Sequence, residues 1–383
     1  MDPGRVQGQA RSRVEPSLVY ICDWLPPDFG AVGQYSLMFA RAHAAEGRDV
    51  LLAGLSSTRN SLEREATEKG RLRILRLRAS PYDRSNFLVR SWWTLKTNLR
   101  IIWALRKELH RADEIKFTGS PPFMLHVLAP LNRWFLRKKL TYRITDFHPE
   151  SLIATLEHVP APLQWFQRLT LFWRRRVDKF EVLGEDQKQL LLSMGIPAKK
   201  ILLKRDPSPV TITAETQPLE RPTELGSRCL LLYSGNFGVA HDYETFVEAY
   251  ARHHERGSGR VGLWLNAVGA RADRVEQELR NRNLPVHRSR PVPLEDLPNL
   301  LVTPDAHLIT LLDPFVGLVM PSKVYGCIES RLPVLYVGSE RSDVHRLCAA
   351  ALEDTMYWQV NVGNVERLST ALDQLANARP RHN

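Results

Sequence analysis

The feature that most constrains this chain is a repeated alternation of short apolar runs and amphipathic segments, broken once by a long Pro/Ser/Thr-rich stretch. Ser17–Cys22 (SLVYIC) reads as a strand, Asp23–Gly33 (DWLPPDFGAVG) as a Pro/Gly loop, and Gln34–Glu46 as an amphipathic helix closed by Gly47. Asp49–Ala53 is the next strand, so the chain opens as a βαβ unit. Strands are expected at Arg71–Leu77, Glu114–Thr118, Leu140–Thr145, Lys179–Leu183 and Ile201–Lys204, with helices at Phe87–His110, Phe123–Leu131, Leu163–Arg176 and Glu185–Met194. Asp206–Ser227 has no helical period and reads as a linker. The alternation then resumes. Leu230–Ser234, Gly262–Ala267, His307–Leu312 and Val334–Val337 read as strands, with helices at Tyr243–His254, Arg271–Asn281 and Leu294–Leu301 and a mainly helical end, Arg341–Asn383. Alternation of this kind builds parallel sheets covered by helices, so the fold class is α/β with two units. The expected boundaries are a disordered tail at 1–16, a first domain at 17–205, a linker at 206–228, a second domain at 229–345 and a helical segment at 346–383.

At 383 residues and 43% hydrophobic content the chain can build two cores, which excludes a disordered protein. The four cysteines, Cys22, Cys229, Cys327 and Cys348, are far apart, which excludes a disulfide framework and a zinc spacing and suggests a reducing compartment. Met1–Ser17 has no apolar core, so it is not read as a signal peptide, and no run of about 18 apolar residues is present to span a membrane. The formal net charge is +11, and Arg84–Arg143 alone carries 13 Lys/Arg against three Asp/Glu, together with Trp92, Trp93, Trp103 and Trp134. Indole rings settle at headgroup level and Lys/Arg meet phosphate, so this segment suits an anionic membrane surface. A plainer reading makes Trp92, Ile102 and Trp103 core with a solvated basic face opposite. No nucleic-acid motif accompanies the charge, so a nucleic-acid partner is not expected.

The densest candidate for chemistry is Met320–Val334 (MPSKVYGCIESRLPV). Pro321 can open a helix at its first position, Ser322 and Lys323 follow, and Pro333 stops the helix before a strand. A helix N-terminus and an ammonium at the carboxyl end of a strand suit a phosphate-bearing ligand. Gly235-Asn236-Phe237-Gly238 is a glycine loop after a strand that lets backbone approach phosphate. His241 could add a donor, although Asp242 beside it could instead make a local capping pair. Arg271, after the Val268–Ala270 turn, is a further cation, and Gly33 in the first loop is a weaker candidate. Asp146, His148 and Glu150 fall within five residues at a strand end and could orient a hydroxyl or take its proton, with His148 preferred. The alternative is that Asp146 caps the next helix and Glu150 sits in its first turn.

Taken together, PPDFGAVGQY (Pro26–Tyr35), DFHPE (Asp146–Glu150), LYSGNFGVAHDYETFVEAY (Leu232–Tyr250), VGA (Val268–Ala270) and PSKVYGCIESRLPV (Pro321–Val334) resemble the GT-B glycosyltransferases, and more specifically their family 4. The resemblance runs from about Ser17 to His345. It implies two Rossmann-like domains facing each other across a cleft, an N-terminal acceptor domain and a C-terminal donor domain. It implies transfer of a sugar from a nucleotide-sugar donor to a glycan or lipid-linked acceptor, usually with retention and without a metal. No cofactor beyond the donor substrate is implied, and the expected location is cytoplasmic, peripheral on the inner membrane face. The family usually places an Arg and a Lys near the donor diphosphate where this chain has Asn236 and His241. It usually places a ribose-binding Glu where this chain has Gly326, and an earlier Glu near Leu318. A nucleotide-sugar epimerase or hydrolase on the same fold, and a non-catalytic glycan-binding protein, are the competing expectations.

Overall fold

The computed structural model describes residues 17–28, 30–80, 87–120 and 122–378, so the expected tail at 1–16 lies outside the described residues. The strands are β1 (Leu18–Trp24), β2 (Asp49–Ser56), β3 (Ser61–Ala66), β4 (Arg71–Arg78), β5 (Glu114–Thr118), β6 (Lys139–Ile144), β7 (Lys179–Val182) and β8 (Ile201–Leu203), then β9 (Cys229–Asn236), β10 (Val261–Val268), β11 (Val286–Ser289), β12 (Ala306–Thr310), β13 (Val334–Val337) and β14 (Tyr357–Val360). The helices are α1 (Ala31–Ala45), α2 (Phe87–Ala104), α3 (Arg106–Arg111), α4 (Met124–Leu131), α5 (Glu150–Ile153), α6 (Ala161–Arg174), α7 (Glu185–Ser193), α8 (Glu244–Arg256), α9 (Ala270–Asn281), α10 (Leu297–Val302), α11 (Lys323–Glu329), α12 (Asp343–Ala351) and α13 (Val365–Ala378).

Two sheets result. The first runs β3-β4-β2-β1-β5-β6-β7-β8, with β3 antiparallel to β4. The second runs β11-β10-β9-β12-β13-β14, and its strands pair parallel. That order places the reversal of winding between β9 and β12, where open α/β sheets hold ligands outside their strand ends. By contact density the chain divides into residues 1–143 with 172–180, and residues 144–171 with 181–383.

Each sheet is buried for a legible reason. Leu18, Tyr20 and Cys22 of β1 and Leu52 of β2 point to one face, where Leu37, Ala40 and Ala44 of α1 cover them. In the second unit, Leu231 and Tyr233 of β9, Leu263 and Leu265 of β10 and Leu335 and Val337 of β13 pack with α8, α9 and α13. Gly33 is buried in α1 because a Cβ there would lie 1.8 Å from the Trp24 carbonyl oxygen. Glycine is therefore what lets the helix approach its own strand.

Several elements differ from the sequence expectation. The single helix expected over Phe87–His110 is two, because Leu105 leaves helical geometry between α2 and α3. A π-helical turn, Asn132–Leu136, extends α4. Arg341–Asn383 contains a strand, β14, between α12 and α13. The helix after Pro321 starts two residues later, at Lys323, with Ser322 as its N-cap. All four cysteines are buried and lie outside any disulfide. Among the described residues, no helix is long and apolar enough to cross a membrane.

Candidate functional site

The site is built at the carboxyl ends of β9 and β12, within the second unit. Strand β9 ends in Tyr233, Ser234, Gly235 and Asn236, and Gly235 has a φ of +112°, a conformation that disfavours any side chain. Lys323 fills the space above: a Cβ on Gly235 would lie 4.0 Å from its Cε. Lys323 is partly exposed as a residue, but its Nζ is buried without a hydrogen-bond partner among the described residues. The nitrogen rests 3.2 Å from the centroid of the Tyr233 ring. Phe237 stacks on the same ring at 4.1 Å, so ammonium and phenyl take opposite faces. An aromatic face attracts a cation but supplies no hydrogen bond. Burial accordingly lowers the amine to about 7.

His241 stands edge-on to Tyr233 and Phe237. Its Nδ1 lies 2.6 Å from the Thr310 carbonyl oxygen at the end of β12. A carbonyl only accepts, so Nδ1 carries the hydrogen, and the neutral ring offers a lone pair at Nε2. Burial, followed by the Lys323 charge, pushes this imidazole down to about 3. Toward a phosphate this tautomer of His241 presents an acceptor, and a donor there requires a protonated ring. Arg271 donates to the His241 carbonyl and lies 5.5 Å from the Tyr243 ring centroid, bracing the turn that carries His241. Asp242 accepts from the Thr245 hydroxyl at 3.0 Å and ties the same turn to α8.

Gly269, at the N-terminus of α9, has a φ of +111°, and a Cβ there would fall 2.7 Å from the Phe237 carbonyl and 2.8 Å from the Asn236 Oδ1. Asn236 is exposed, and Gly238 lies beside its amide, where a Cβ would be 3.3 Å from Nδ2. Ser322 precedes Lys323 and makes no side-chain cap. Gly326 faces inward, where a Cβ would meet Leu301 Cδ1 at 2.9 Å.

The DFHPE segment joins the loop that leads to Lys323. Asp146 forms an antiparallel bridge with Val319, and the Phe147 amide donates to the Leu318 carbonyl at 2.9 Å. Burial raises the Asp146 carboxyl, and the neighbouring His148 opposes it. His148 is exposed and Glu150 buried. The N-cap of α5 is Pro149 with no side-chain cap, so Asp146 does not cap this helix, whereas Glu150 does lie in its first turn.

Of the expected residues, the structure gathers Gly235, Asn236, Gly238, His241 and Arg271 with Lys323 and Ser322, and ties Asp146, through its bridge to Val319, to the loop before Lys323; His148 and Glu150 follow it in the same segment. Gly33 belongs to the other unit. Sequence reasoning missed Tyr233, which looks like an ordinary strand residue, and Thr310, whose hydroxyl is buried without a partner among the described residues. Gly269 was visible only as part of the VGA turn.

The chain has a TM-score of 0.61 to an E. coli trehalose-6-phosphate protein bound with UDP-2-fluoro glucose, at 13% identity, covering 94% of this chain and 90% of that one. The fold is GT-B. HepE of Anabaena, solved with UDP and glucose, matches with a TM-score of 0.61 at 12% identity over 95% of this chain and 94% of that one. WaaG, a glycosyltransferase of lipopolysaccharide biosynthesis, matches with a TM-score of 0.59 at 15% identity over 94% and 90%. In sequence, the chain is 22% identical over 246 residues to a probable glycosyltransferase, WbjE of Pseudomonas aeruginosa, covering 62% of this chain. The chain spans 60% of the length of that curated relative. No family model matches the chain.

Proposed function

We propose that the protein is a glycosyltransferase of the family 4 type that moves a sugar from a nucleotide-sugar donor to a glycan or lipid-linked acceptor. The observation that carries this reading is the buried Lys323 Nζ, without a hydrogen-bond partner among the described residues and lying over Tyr233 at the winding reversal of a parallel sheet. A buried cation without a counter-charge is costly, and a diphosphate supplies what is missing. As the sugar bond breaks, the leaving nucleoside diphosphate gains charge. An ammonium already in place stabilises that charge without reorganisation. The backbone around Gly235, Asn236 and Gly238 gives close access to phosphate oxygens, and Ser322 a hydroxyl. Lys323 then serves as the cation for the diphosphate, in a reaction that needs no metal.

Asp146 and His148 orient the acceptor hydroxyl, and transfer proceeds with retention, the departing phosphate being able to take the acceptor proton. The similarity to WbjE and the GT-B neighbours, two of them solved with uridine nucleotides, supports this class of reaction. The protein works as a peripheral enzyme at the cytoplasmic face of an anionic membrane, where a lipid-linked acceptor is presented. A thermal-shift panel of nucleotide-sugars tests the reading. One nucleoside diphosphate class raises the melting temperature, because a ligand that binds only the folded state stabilises it. Lys323→Ala abolishes the rise, and an unchanged rise in that variant overturns the assignment.

A further inference from the structure

Helix α2 is turned inside out. At 100° per residue, Thr94, Thr97, Asn98 and Ile101 share one face, and among the helix's described side chains these four are the buried ones, at 7% exposure or less. Three of them are polar, and Asn98 is anchored by donating to the Pro122 carbonyl at 2.7 Å. The opposite face carries Val89, Trp92, Leu95, Leu99 and Trp103, and it is exposed, both tryptophans at 70%. A helix of a water-soluble domain normally presents the reverse. The expectation that Trp92 and Trp103 are core therefore fails.

The charge around the face is of one sign. α2 contains no Asp or Glu, and the exposed Lys96 and Arg100 lie on the same side of the helix as the apolar stripe. Arg106, at the start of α3, holds its guanidinium 4.6 Å from the Trp103 ring centroid. Within the same unit a second knuckle projects from the π-helical turn: Trp134 at 62% and Phe135 at 70% exposure, beside the basic Arg133 and Arg137. Rings that sit among cations suit the boundary between headgroup phosphates and acyl chains.

We infer that the outward face of α2, with the Trp134–Phe135 knuckle, is a membrane-inserting surface for anionic phospholipid bilayers. Trp92, Leu99 and Trp103 enter the acyl boundary, and Lys96, Arg100 and Arg106 meet lipid phosphate. The inference deepens the peripheral-membrane part of the proposed function by naming the surface. It does not involve Lys323 or the donor, so its failure leaves donor binding untouched, and failure of donor binding leaves it standing.

The test is co-sedimentation of the full chain with vesicles of equal phosphatidylglycerol and phosphatidylcholine, against phosphatidylcholine alone. The wild type partitions onto the anionic vesicles, with a blue shift of tryptophan emission. The double variant Trp92→Ser/Trp103→Ser, at exposed positions outside the core, keeps its melting temperature and partitions on the order of tenfold less. Lys96→Gln/Arg100→Gln reduces binding to anionic vesicles by about 25-fold, since each basic residue near the surface contributes about fivefold. Absence of binding to either vesicle, or equal binding by wild type and the tryptophan variant, overturns the inference. So does a dimer in solution that Trp92→Ser/Trp103→Ser converts to monomer without any vesicle binding, which would assign the face to a second copy. Retention of the protein on arbitrary DNA in preference to vesicles would overturn it as well.

Discussion

Raising the pH from 6 to 9 titrates Lys323, and the donor should feel it. Lys323 is lowered to about 7 by burial. Its neighbours do not change charge in this window. His241 is held near 3, the Cys327 thiol is pushed up to about 12 by burial, and Tyr233 is raised well above its ordinary value by burial. Arg271 stays a cation. A diphosphate oxygen in contact with Nζ favours the ammonium and returns the group toward lysine's ordinary value of about 10.4. Donor binding is then coupled to proton uptake: about half a proton at pH 7 and about nine-tenths at pH 8. Above pH 7 the affinity should fall by about tenfold per pH unit, while the terminal phosphate is already dianionic. Calorimetric titration of a nucleoside diphosphate in two buffers of different ionisation heat reads the uptake directly. Lys323→Met should abolish it. In the unliganded protein the sign is set by the depressed folded value. Between about 7 and about 10.4 the unfolded chain binds the extra proton, so stability rises with pH across that window. The penalty of the buried ammonium is complete below it, and Lys323→Met should remove this dependence. No proton uptake at pH 8, or the same uptake in Lys323→Met, would refute the reasoning.

Gly269→Ala forces a side chain onto a φ of +111° with its Cβ against the Phe237 carbonyl, and should lower the melting temperature by roughly 5–10 °C. Calorimetric melting checks this, and an unchanged transition would contradict the close approach. Asp146→Asn and His148→Ala should each slow transfer by on the order of a hundredfold with donor affinity unchanged, as groups acting on the acceptor would. Because burial raises the Asp146 carboxyl, activity should fall on the acid side at a higher pH than an ordinary aspartate gives, and a flat acid limb in steady-state rates would exclude its carboxylate.

Much of the second sheet was legible because buried parallel strands are short apolar runs: LLLY in β9, GLWL in β10 and VLYV in β13 announce themselves. The strands that escaped lie at edges. β3 (SLEREA) is polar on both faces and largely exposed, and β11 (VHRS) and β14 (YWQV) are four residues long at the two margins of the second sheet. Helix α2 misled for a different reason. Periodicity finds an apolar face but does not say which way it turns. Only the burial of Thr94, Thr97 and Asn98 reveals that the usual direction is reversed. At the site, charge and glycine made Lys323, Gly235 and Arg271 visible. The ring on which the ammonium rests, Tyr233, carries no such mark, and its part depends on strand order, which single-sequence patterns do not contain.

A crystal structure with a bound nucleoside diphosphate tests the central claim most directly. A β-phosphate oxygen should lie within about 3 Å of Lys323 Nζ, at the ends of β9 and β12, with the ammonium lifted from the Tyr233 ring. A diphosphate bound away from these strand ends, with Nζ still resting on Tyr233, would contradict it.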